Sequence, residues 1–155
     1  MSSVEADEWD AVHTVHDFYG RPLKGTADYK GFPHAYMREW DIDQDDWADT
    51  LLLSPISDEQ MSAVKEQWHL WLRWRSAQDD GTLQPEDHHP TLAKDRKRYE
   101  QLATVVEAAL KVDDAKSIRM KADFRGDILS MGKTAVRWTE PDDGGTPPIS
   151  AIPHL

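Results

Sequence analysis

Strict alternation of apolar and polar positions is the clearest pattern in the C-terminal part of the chain. In "KSIRMKADFR", Ile118, Met120, Ala122 and Phe124 fall on one side and Arg119, Lys121 and Arg125 mostly on the other, the period of a half-buried strand. "TAVRWTE" repeats it with Val136 and Trp138 against Arg137, which predicts a C-terminal hairpin or sheet edge joined through "GDILSMGK". Near the start, "AVHTVHDFY" (residues 11–19) is rich in β-branched and aromatic residues and runs into the turn signal "GRP". Lys30-Gly31 then sits between two strand-like runs as a two-residue hairpin loop, where glycine supplies the positive φ. That register sets Tyr29 opposite Phe32, Ala27 opposite His34 and Gly25 opposite Tyr36, so Phe32, His34, Tyr36 and Trp40 share a side. "TLLLSPI" reads as a further short, buried strand.

Between the two strand regions the period changes. Ser57 and Gln60 have capping-box spacing, with Ile56 and Met61 in staple positions, so a helix is expected from about Asp58 to about Ala77. Met61, Val64, Trp68, Trp71, Leu72 and Arg75 give its stripe, widened by Leu70 and Trp74. After the proline-broken "DDGTLQPEDHHPT", a second helix is expected from about Leu92 to Lys111, with Tyr99, Leu102, Val106, Ala109 and Leu110 as its apolar face. Its first turns carry "KDRKR", the sign opposite to the one the helix dipole favours there, which points to a partner in the protein's own acidic half.

These elements predict an α+β fold: a largely antiparallel sheet of five to six strands with two main helices packed on one face. At 155 residues, one domain spanning 11–140 is expected, preceded by an acidic arm, 1–10, and followed by a flexible Pro/Gly-rich tail, 141–155.

Charge changes the functional picture. The formal net charge is −11, and residues 1–60 alone hold 14 acids against 4 bases. A polyanion is repelled by that third, so no direct nucleic-acid binding is expected, whereas a basic protein is attracted and steered. The alternative footprint of "KDRKR" with Arg119, Lys121, Arg125 and Arg137 reads instead as ordinary charged faces. There is no cysteine, so thiol nucleophiles, disulfides and thiolate zinc sites are excluded. Neither a secretory leader nor a membrane-length apolar run is visible, so no membrane association is expected and the expected location is cytoplasmic.

The densest acidic stretch is "EWDIDQDDWADT", residues 39–50, with five aspartates and two tryptophans. Asp41, Asp43 and Asp45 match the first ligand positions of a calcium loop, but Asp46 stands where its glycine belongs and Leu52 where its glutamate belongs. A protein-binding surface is the better reading: Trp40 and Trp47 as anchors, with Asp41, Asp43, Asp45, Asp46 and Asp49 steering approach. A solvated turn is the plain alternative.

The histidines offer a second site. His16, Asp17 and His34 form a metal-ligand set if the first strand lies beside the hairpin, although His13 and His16 point to opposite faces of a strand. Adjacent His88 and His89 in "PEDHHP" point apart. No nucleophile-elbow, phosphate-loop or zinc-protease signature occurs, and no cofactor is expected.

"VHDFYGRPLKGTADYKGFPHAY", residues 15–36, resembles the opening of small uncharacterised bacterial proteins. In these a His-Asp-Phe/Tyr-Tyr strand, a Gly-Pro-type turn and a "GxADYxGxPH" hairpin precede a Trp-rich helix. The likeness covers residues 11 to about 125, with Arg21 interrupting the Gly-Pro pair. It implies the same fold and carries no site. The expected function is a small acidic binding module that occludes a basic partner, of immunity, antitoxin or inhibitor type. The alternatives are a metal-dependent hydrolase or ligand-binding enzyme built on His16, Asp17 and His34, and a structural subunit docking through its tail.

Overall fold

The computed structural model describes residues 9–126 and 134–141. Six strands, β1 (Asp10–Phe18), β2 (Pro22–Tyr29), β3 (Phe32–Asp41), β4 (Asp46–Pro55), β5 (Ile118–Gly126) and β6 (Thr134–Thr139), follow one another antiparallel around a closed barrel. Two helices, α1 (Asp58–Asp80) and α2 (Arg96–Leu110), occupy the β4–β5 connection, α2 preceded by a 3₁₀ turn at Ala93–Asp95.

The expected open sheet with helices on one face is overturned. β6 does not end the sheet as an edge but turns back onto β1, pairing Val136 with Asp10 and Ala135 with Ala11. Irregularities in the β1–β2 register between Val12 and Thr14 and between Val15 and Phe18 supply the bend, since a bulge curves a strand and strengthens its twist. One face of the sheet thereby becomes an interior, filled by Ala27, Tyr36, Leu51, Leu53, Met120 and Val136. Tyr29, Phe124 and Trp138 pack against that cluster. Burial of these side chains is the main stabilising term, on the order of 2 kcal/mol for each large one.

The β2–β3 hairpin follows the expected register, Tyr29 with Phe32, Ala27 with His34 and Gly25 with Tyr36. Lys30 and Gly31 both have positive φ, 53° and 83°, as this loop type requires. Asp10 accepts hydrogen bonds from both of their backbone N–H groups at 3.1 Å, so the last residue of the expected N-terminal arm is already part of the barrel. Gly25 serves packing: a Cβ there would come within 2.2 Å of the Thr14 carbonyl and 2.6 Å of the Tyr36 hydroxyl. The missing side chain lets Tyr36 reach that carbonyl with a 3.1 Å hydrogen bond.

The helices share their own core, Val64 and Leu70 of α1 against Leu102, Val106, Ala109 and Leu110 of α2. Thr14, Thr26 and Ala35, on the opposite side of their strands from the barrel core, are buried as well, which places them under this helical pair. α1 starts at the expected Ser57–Gln60 capping box, both reciprocal hydrogen bonds being present, and ends at Gly81 with φ 72°. The basic start of α2 finds its partner on α1 rather than in the acidic N-terminal third: Arg98 forks onto Glu66 at 2.6 and 2.8 Å. This pair is solvated and adds little to stability. Asp95, buried, takes Arg73 in the same forked way.

Candidate functional site

The β3–β4 hairpin carries the acidic stretch. Of its five aspartates, three have local duties and two are exposed without them, a division that the spacing alone did not separate. Asp41 accepts the backbone N–H groups of Asp43 and Gln44 at 3.0 and 3.3 Å, building the turn. Asp46 accepts the Trp47 N–H at 2.7 Å. Asp49 pairs with Arg21 at 3.0 Å, and the same guanidinium reaches the Trp47 carbonyl at 2.7 Å. Asp45 makes the turn with φ 52°, a conformation aspartate tolerates better than most residues. Among the described residues, Asp43 and Asp45 are the members of the set whose carboxylates no hydrogen bond or ion pair engages.

Trp40 and Trp47 face each other across the hairpin, their rings perpendicular at 5.1 Å, a geometry favoured by the aromatic quadrupole. Trp40 is still 50% exposed and Ile42, at the tip, 81%. A groove of about 500 Å³ runs below them past Met37 and Leu52. Under the hairpin Arg38 is buried in the barrel end, donating to the Pro22 and Ala48 carbonyls at 3.0 Å each. Burial, aided by Arg21, pulls its pKa down to about 10, so it stays charged at neutral pH.

The three residues of the suggested metal set are not brought together. His34 lies level with Ala27 and, through it, with Val12, near the other end of β1 from His16. Its Nδ1 donates to the Phe32 carbonyl at 2.9 Å and its ring stands edge-on to Tyr29. Among the described residues, no three His, Asp or Glu side chains converge as metal ligands. His13, expected to face away from His16, pairs with Asp28 at 3.1 Å.

His16 belongs instead to a cleft of about 350 Å³ between the end of β1, α1 and the His89-Pro90 loop. Its ring lies 5.4 Å from Trp68, Trp68 stacks on Trp71 at 4.9 Å, and the Arg75 guanidinium covers Trp71 at 5.6 Å. His16 Nε2 is sealed from solvent with no hydrogen-bond partner among the described residues. Burial, with a smaller push from the Lys24 ammonium, lowers its pKa to about 4, and the imidazole is neutral at physiological pH. The sequence marked Trp68 and Trp71 as part of the apolar stripe of α1. In the structure Gln67 and Leu70 take the buried positions, and the two tryptophans wall the cleft. The signal for this was the width of the stripe, more apolar surface than one helix partner covers.

Most of the arginines considered as a nucleic-acid footprint are engaged internally. Arg119 forks onto Glu39, Arg137 meets Asp123 at 3.2 Å, and Arg125 lies 3.9 Å over the Trp9 ring. No helix among the described residues is long and apolar enough to cross a membrane. Residues 142–155, nearly all of the expected tail, lie outside the described residues. Comparison with models of known protein families, with curated proteins and with solved structures finds no match to this chain.

Proposed function

We propose that the protein is a small acidic binding module whose β3–β4 hairpin tip docks a basic protein and blocks it by occupancy, as an inhibitor or immunity protein does. The observation that supports this reading most is the exposure of Trp40 and Ile42 beside two uncommitted carboxylates, Asp43 and Asp45. Apolar anchors ringed by charge are the composition of an interface centre and its rim. The net charge of −11 accelerates encounter with a cationic surface, and the anchors then slow dissociation.

The division of labour gives the test. A basic protein captured from the native host by the tagged chain is measured against Asp43→Asn/Asp45→Asn and against Trp40→Ala/Ile42→Ser. The aspartate variant should lower the association rate and flatten its salt dependence. The Trp40/Ile42 variant should raise the dissociation rate by about tenfold or more, the loss typical of an anchor residue. If both variants retain the same captured protein with unchanged kinetics, the hairpin is not the docking surface.

A further inference from the structure

The cleft between β1 and α1 is a second site, separate from the hairpin tip. We infer that it binds a small planar aromatic ring carrying an ammonium group, the ring entering between Phe18 and the Trp68–Trp71 wall and the ammonium lying at Asp17.

Its size, about 350 Å³, sits at the lower end of the range for small-molecule pockets, roughly 300–1,000 Å³, and suits a ligand of one ring and a short arm. Its walls are largely aromatic: Phe18, Trp68, Trp71 and Tyr99, with His16 and His89 as further flat surfaces. Such a lining offers offset and edge-on contacts to a ring. The same row of rings already holds one organic cation, since Arg75 lies over Trp71.

Polarity selects the sign of the ligand. Asp17 is the carboxylate in the lining, it is exposed, and no hydrogen bond or ion pair engages it among the described residues. Asp17 also lines the neighbouring groove, where it meets Lys24, its cross-strand partner; Lys24 is not part of this cleft's lining. His16 contributes no charge at neutral pH. Its buried Nε2 is left without a partner among the described residues, a cost that a site built only for packing avoids.

Phenethylamine and phenylacetate, matched in ring and opposite in charge, test the inference with tryptophan fluorescence and calorimetry on the full chain. Phenethylamine should give saturable binding, with phenylacetate weaker by about tenfold as expected for reversing a charge beside a carboxylate in a partly water-excluded cleft. Asp17→Asn should bring the two affinities together, and Trp68→Ala should weaken both. Asp17 is exposed, so its variant keeps the test valid even if Trp68→Ala disturbs α1. Equal binding of the two probes, no saturation with either, or an Asp17→Asn protein that still separates them would overturn the assignment. Trp40→Ala/Ile42→Ser should leave phenethylamine binding unchanged, so this site and the docking reading fail independently.

Discussion

At the scale of single residues, His16 is the group whose chemistry departs furthest from its free form within the physiological neighbourhood. Its folded pKa of about 4 lies below the unfolded value of 6.5, so the unfolded chain binds the proton more readily. The stability linked to the neutral imidazole is present above about pH 6.5 and is lost as the pH falls toward 4. Near pH 5 the loss amounts to roughly 2 kcal/mol. Urea unfolding of the wild type and of His16→Asn at about pH 7 and about pH 5 isolates it from the titration of the many carboxylates: the difference between the two proteins should shift in favour of the variant at the lower pH. Equal shifts would mean that His16 is not held neutral. The sequence put His16 among possible ligands because histidine, aspartate and a second histidine occurred in a plausible strand neighbourhood. Nothing in that spacing reported that Trp68, more than fifty positions away, supplies its nearest ring.

At the scale of elements, local rules carried most of the reading. The Lys30-Gly31 loop fixes β2 against β3 because two positive φ values leave one hairpin geometry, and the observed pairs follow it residue by residue. The start of α1 was equally legible, since Ser57 and Gln60 satisfy each other's backbone N–H groups within one turn. Replacing Ser57 by alanine should lower the unfolding free energy by about 1 kcal/mol, read from the denaturant midpoint at constant slope. A neutral result would show that packing alone sets the helix start. The aspartates of the hairpin were legible as a cluster and illegible as individuals. Which of them build the turn and which face outward depends on φ at Asp45 and on the Arg21 side chain, and Arg21 is 28 residues from Asp49.

At the scale of the whole molecule, the alternation in β5 and β6 is the same for an open sheet with one wet face as for a barrel with a dry interior. Closure rests on contacts between residues at the two ends of the domain and on irregularities in β1, neither of which has a local signature. The closing pairs are Asp10 with Val136 and Ala11 with Ala135, reinforced by Trp9 under Arg125 and Arg137. By contrast, the β2–β3 ladder runs unbroken from Lys24–Met37 to Tyr29–Phe32. The ring is thus unequal around its circumference, and thermal opening should begin at one place. Amide protons of β6 and of the first residues of β1 should exchange with solvent deuterium ahead of those in β2 and β3, through an opening that leaves the helical pair intact. Trp9→Ala should speed exchange at β6 while leaving the β2–β3 amides unchanged. Uniform exchange around the barrel would mean that it opens only by unfolding as a whole, and that the short closure is as strong as the long ladders.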